Sequence, residues 1–117
     1  MQIQFQLNPQ MLVTVEGDTQ RDLWESIART QEVFGNSVCK KCGCTELQYA
    51  VRVDKDDNKY YELHCTNLSC RAKLSFGCFK KGGGLFPKRQ GEDKEGNKTW
   101  LKDGGWLKWN KEKGCNE

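Results

Sequence analysis

The sequence predicts a small α+β protein: a three-stranded antiparallel sheet held at one end by two cysteine pairs, with an N-terminal β-hairpin and helix packed against it. Three observations lead there. Two close cysteine pairs flank a stretch in which apolar and polar residues alternate. Helical apolar periodicity occurs once, near the N-terminus. With 117 residues, 36% of them hydrophobic, the chain has little apolar surface to bury, a deficit that small proteins make up with a disulfide, a metal or a partner. The chain divides into residues 1–36 (hairpin and helix), 37–79 (the cysteine-bearing sheet) and 80–117 (a basic, aromatic, glycine-rich segment with a mobile end), expected to fold as one unit.

The elements follow in order. QIQFQL and MLVTVEG alternate on either side of an NPQ turn, which gives a hairpin. GDTQRD starts the helix, with Asp18 or Thr19 as cap and Asp22 in the first turn, near the positive end of the helix dipole. Leu23, Trp24, Ile27, Ala28, Gln31 and Phe34 form one apolar face, so Trp24 and Phe34 are expected in the core, and Gly35 stops the helix. ELQYAVRV and KYYELHC form a hairpin on the DKDDN turn, and AKLSF at 72–76 adds a third strand. Beyond residue 80, GGG reads as a flexible joint, and TWL and WLKW suggest a hairpin on KDGG. No internal repeat stands out beyond the two cysteine clusters.

Seven cysteines in so short a chain need an explanation. The N-terminus has no basic region followed by an apolar run, and no stretch is long enough to span a bilayer, so a cytoplasmic setting without membrane association is expected. In a reducing compartment an odd number of cysteines with C-x-x-C spacing reads as metal binding rather than as disulfides. Structural zinc takes four tetrahedral ligands, and two pairs on tight turns at the ends of a hairpin supply them. Cys39 and Cys42 form the first pair, with Gly43 suited to the turn after it; Cys65 and Cys70 form the second, with 22 residues between the pairs. Cys44 is expected to be a free, small buried thiol, the alternative being that it replaces Cys42 as ligand. His64 falls on the opposite face of its strand from Cys65; Cys78 is expected to be buried and Cys115 to lie in the tail.

The stretch from Val38 to Phe79, CKKCG through HCTNLSC, resembles a zinc ribbon, in which two cysteine knuckles clamp a three-stranded sheet. The wider second knuckle, CTNLSC followed by RAKLSFG, is similar to the C-terminal zinc ribbons of bacterial type I topoisomerases, modules that hold single-stranded DNA. The helical N-terminal segment and the GG-LFPKR stretch resemble small zinc-ribbon proteins of tailed phages, which would place the protein in a host cytoplasm.

Charge and aromatic content suggest a partner. Residues 1–38 carry 2 basic and 5 acidic groups, 39–79 carry 7 and 5, and 80–117 carry 10 and 6. Lys80, Lys81, Lys88 and Arg89 bracket Phe86, while Lys102 and Lys108 alternate with Trp100, Trp106 and Trp109. Single-strand binders use such a mixture, cations following phosphates and aromatic faces stacking on bases. Tyr49, Tyr60 and Tyr61 could extend the platform. The competing reading makes the tryptophans a second core and the lysines solvated. A four-thiolate zinc is closed, and no nucleophile–base pair or phosphate loop is visible, so no enzymatic activity is expected. The expected function is single-stranded DNA binding as an accessory to replication, recombination or transcription. The alternative is a protein-interaction module, such as a phage-encoded inhibitor or modifier of a host complex, that docks through the acidic N-terminal part.

Overall fold

The structure, a computed structural model, describes residues 1–9 and 11–116. It forms a small α+β protein in two compact units, Met1–Ser37 and Val38–Glu117.

In the first unit, β1 (Gln2–Asn8) and β2 (Met11–Glu16) form an antiparallel hairpin with Ile3 opposite Val15 and Phe5 opposite Val13. Reciprocal bonds between Met1 and Gly17 close its open end: the terminal ammonium donates to the Gly17 carbonyl at 2.9 Å, and the Gly17 amide to the Met1 carbonyl at 3.0 Å. Of the NPQ turn, Gln10 lies outside the described residues. Helix α1 (Gln20–Phe34) begins with a reciprocal cap, Thr19 Oγ1 accepting from the Asp22 amide at 3.1 Å and the Asp22 carboxylate from the Thr19 amide at 3.2 Å. Its inner stripe runs through Leu23, Ile27, Thr30 and Val33. Trp24 is 78% exposed and Phe34 is also exposed, against the expectation that both are core. Adjacent helical positions differ by 100°, and the two-stranded hairpin covers one stripe only.

In the second unit β3 (Leu47–Val53), β4 (Lys59–Cys65) and β5 (Lys73–Cys78) pair antiparallel in that order. The sheet is larger than the expected three strands. β6 (Leu85–Pro87) and β9 (Trp106–Leu107) lie end to end along the far edge of β5, with Phe76 opposite Pro87 and Leu74 opposite Trp106. The glycine run at 82–84 belongs to the turn joining β5 to β6. Between β6 and β9, β7 (Gln90–Glu92) pairs with β8 (Lys98–Trp100). The expected hairpin of TWL with WLKW does not form, because these segments pair with β7 and β5 instead. β10 (Trp109–Asn110) pairs with β11 (Cys115–Asn116), and Glu117 lies outside the described residues.

Two hairpin turns share one design. In DKDDN, Asp54 Oδ1 accepts from the amides of Asp56 (2.9 Å) and Asn58 (3.0 Å); in DKEGN, Asp93 Oδ1 accepts from Glu95 and Asn97, both at 2.9 Å. The fourth residue is left-handed in each, Asp57 at φ 61° and Gly96 at φ 82°. This repeat escapes a search for longer periods.

Alternation sorts the sheet. Leu63, Leu74, Phe76 and Trp106 point inward with Cys39, Cys65, Cys70 and Ala72 as one buried cluster. Cys78, expected to be buried, is exposed at the end of β5. On the opposite face Glu62 is a buried charged residue, accepting a hydrogen bond from His64 and ion-paired with Arg52 and Lys73.

Candidate metal centre

Two turns bring the cysteines together. In the first, the Gly43 amide donates to the Cys39 carbonyl (2.8 Å) and the Cys39 amide to the Cys44 carbonyl (2.9 Å). Gly43 takes φ 80°, which an L side chain adopts only at a cost. The second turn repeats the pattern. The Arg71 amide donates to the Asn67 carbonyl (2.9 Å), the Cys65 amide to the Ala72 carbonyl (2.8 Å), and Arg71 takes φ 53°. Asn67 stands where the first turn has Cys39, and the thiol comes from Cys65, two residues earlier. That displacement accounts for the wider C-x-x-x-x-C spacing.

The ligand atoms of Cys39, Cys42, Cys65 and Cys70 lie within 4.8 Å of one another, and this set could hold a metal ion. Cys39 Sγ is 3.9 Å from Cys70 Sγ, and Cys42 Sγ is 3.5 Å from Cys65 Sγ. A tetrahedral site with metal–sulfur bonds of about 2.3 Å requires sulfur–sulfur edges of about 3.8 Å, so the donor set fits. Cys44 stays outside the set and donates to the Glu46 carbonyl at 3.6 Å; it is half-buried rather than buried.

The electrostatics suit a cation. Backbone amides point at the sulfurs, that of Cys44 at Cys42, that of Asn67 at Cys65 and that of Ala72 at Cys70. The Cys44 amide holds the exposed Cys42 thiol down to about 7. Burial pushes Cys65 up to about 12 and raises Cys70, because a lone thiolate is costly in an apolar setting. A dication held here would supply the compensating charge and take the place of the protons. Asn67 Nδ2 lies 3.8 Å from Cys42 Sγ and adds a side-chain donor.

The basic and aromatic candidates divide. Trp106 is 1% exposed and belongs to the core, so it offers no face to a base. The ring of Phe86 lies over Gly77, where a Cβ would collide with it, and against Phe79 at a centroid distance of 4.9 Å, which leaves it half-buried. Trp100 and Trp109 are 75% and 55% exposed. Lys80 and Lys81 sit in the turn after β5, whereas Lys108 and Trp109 follow β9, which pairs with the start of β5. The length of β5, roughly 17 Å at about 3.3 Å per residue, separates these two groups. Lys88, Lys102 and Lys108 are exposed, and Arg89 is half-buried with its amide-linked carbonyl accepting from Leu101 at 2.8 Å. Of the tyrosines, Tyr49 and Tyr61 share the cysteine side of the sheet. Tyr60 is on the other side, under the Arg52 guanidinium at 4.3 Å, so the three do not form one platform.

Around Trp109 the structure assembles a group only partly visible in the sequence. Lys41, Lys108, Trp109, Asn110, Lys111 and Glu112 line a groove of about 450 Å³. Lys41 belongs to the first cysteine turn, and its ammonium reaches Asp103 at 2.7 Å, tying that turn to the loop before β9. Lys41 was missed because its nearness to Trp109 depends on the pairing of β9 with β5, and Lys111, two positions after Trp109, because it falls in the segment expected to be a mobile tail. Among the described residues no helix is long and apolar enough to cross a membrane. No family model, curated protein or solved structure matches the chain.

Proposed function

We propose that the protein is a zinc-ribbon module in which Cys39, Cys42, Cys65 and Cys70 hold one structural Zn²⁺, and that it binds single-stranded nucleic acid, DNA in the first instance. The observation that carries the binding half is the groove lined by Lys108 and Lys111 around the exposed Trp109, beside the cysteine turns. An exposed indole flanked by cations gives a base a stacking face and its phosphates counter-charges. Trp100 offers a further exposed ring. The zinc closes the site with four thiolates and acts by shaping the turns, one of which carries Lys41. Such a module binds and positions a strand without altering it, in keeping with an accessory role in replication, recombination or transcription in the cytoplasm.

The test is a salt titration of binding to a fluorescent single-stranded oligonucleotide. Affinity should fall steeply with salt. Changing Lys108 and Lys111 to Gln should flatten that dependence, while Trp109→Ala should weaken binding by about 1–3 kcal/mol and leave the slope nearly unchanged. No binding at low salt would refute the reading. A second reading has one observation in its favour: Trp24, exposed on α1, is the kind of anchor that protein interfaces use. If the acidic N-terminal unit docks on a protein, Trp24→Ala abolishes that interaction and leaves oligonucleotide binding intact.

A further inference from the structure

The face of the sheet turned away from the cysteines carries a second constellation, outside the basic and aromatic residues considered above. Arg52, Glu62, His64 and Lys73, from β3, β4 and β5, meet there with Leu68 and Arg71 from the second cysteine turn around a groove of about 510 Å³. The Glu62 side chain is 4% exposed. Its Oε1 lies 3.6 Å from Arg52 Nε and 3.0 Å from His64 Nε2, and its Oε2 lies 3.5 Å from Lys73 Nζ.

Neutralising a single carboxylate does not account for this group. Arg52 and Lys73 already exceed the charge of Glu62, and Arg71 adds a cation that, among the described residues, has no carboxylate within ion-pairing distance. Arg71 also occupies the left-handed position that the first turn fills with Gly43, a conformation costing an L-residue roughly 1 kcal/mol. Glycine would fit that backbone without strain but would leave the rim of the groove without its guanidinium. The other cations are held in place from beneath: Glu62 orients Arg52 and Lys73, and the Tyr60 ring supports the Arg52 guanidinium. Their outer surfaces remain open, with Arg52 about half exposed and Lys73 about one-third exposed. Preorganised donors with surplus positive charge around one groove match an oxyanion that accepts several charge-assisted hydrogen bonds.

We propose that this groove binds a phosphate group through Arg52, Arg71 and Lys73. The phosphodiester of a nucleic-acid strand and a free phosphate ion or monoester share this chemistry, and the test separates them. The metal-loaded full chain, labelled with ¹⁵N, is titrated with inorganic phosphate and, separately, with an oligothymidine lacking terminal phosphates. The Nε–H signals of Arg52 and Arg71 are followed alongside the Trp109 indole. The groove signals should shift with at least one ligand. Arg71→Gly, which relieves the backbone and therefore keeps the fold, should weaken that response at least about fivefold, as expected for loss of one charge-assisted contact. Trp109→Ala should leave the response to inorganic phosphate unchanged.

A groove response to the oligonucleotide, with or without one to phosphate, assigns the site to the strand backbone. A response to phosphate alone upholds the site for a free phosphate, and if the oligonucleotide then binds nowhere, only the nucleic-acid reading falls. The proposal is overturned if neither ligand shifts the groove signals, even where the oligonucleotide shifts Trp109, or if Arg71→Gly binds phosphate as tightly as the parent.

Discussion

Replacing the cysteines one at a time should separate them sharply into four and three. Cys39, Cys65 and Cys70 are buried and Cys42 is exposed, but all four lie within 4.8 Å of one another, so each supplies a quarter of the donor set. Serine at any of them puts a neutral hydroxyl where a thiolate must stand. Structural zinc contributes on the order of 10–16 kcal/mol at neutral pH in small metal-dependent domains. A unit the size of residues 38–116 would have a net stability of roughly 4–12 kcal/mol at the usual value per residue. The metal term is therefore comparable to the whole margin or larger, and the loss of one ligand should unfold the sheet under ordinary conditions. Cys44→Ser is different, because a hydroxyl can also donate to the Glu46 carbonyl, and its cost should stay below about 1 kcal/mol. Cys78 and Cys115 are exposed, and serine there should change stability by less than about 0.5 kcal/mol. Metal stoichiometry by elemental analysis and thermal unfolding by circular dichroism read both quantities, and a thiol reagent should find four cysteines protected until a chelator is added. Loss of metal in Cys44→Ser with retention in Cys42→Ser would refute the assignment. So would an unchanged thermal transition after chelation.

Two further outcomes follow from burial and charge. Trp106→Ala should destabilise the second unit by about 3–5 kcal/mol, because the indole is fully enclosed opposite Leu74, whereas Trp100→Ala should cost less than about 1 kcal/mol; equal losses in chemical denaturation would show the core to be misassigned. Burial alone would raise the Glu62 carboxyl, but the His64 hydrogen bond and the charges of Lys73 and Arg52 outweigh it and hold the carboxyl below its ordinary 4.5. Its contribution is thus fully present above about pH 4.5 and lost as pH falls through the lower folded-state value. Glu62→Gln should cost about 1–3 kcal/mol between pH 5 and 7, and a gap from the parent that closed already at pH 6 would contradict this.

Features decided by neighbours in sequence were legible, and features decided by distant pairing were not. The cysteine set could be read because each pair sits on one turn and the alternation between them gives two strands. The strand phase of His64 followed from the same alternation, and so, in principle, did the row of Arg52, Glu62 and Lys73. The role of WLKW could not be read in this way. Alternation puts Trp106 and Trp109 on opposite sides of the chain, but which side is inner depends on Leu74, more than thirty positions earlier. Trp24 failed for a related reason. Two apolar stripes compete on α1, and the width of the hairpin beneath decides between them.

The metal site and the charged groove depend on one choice of register. Cys65 ends β4 on the inner face, which fixes Leu63 and Tyr61 inward and His64, Glu62 and Tyr60 outward. A slip of one residue would turn Glu62 and His64 into the core and move Leu63 out to solvent. The place of Cys65 in the buried four-cysteine cluster opposes that slip from one side of the sheet. The ion pairs of Glu62 with Arg52 on β3 and Lys73 on β5 oppose it from the other, because they form only when these three strands are in phase. The second turn extends the link: Cys70 belongs to the four-cysteine set, the next residue is Arg71, and the left-handed backbone that completes the turn also sets its guanidinium on the rim of the groove. A metal held by the four cysteines on one face would therefore shape the cationic surface of the other through the backbone of β4 and the residues that follow Cys70.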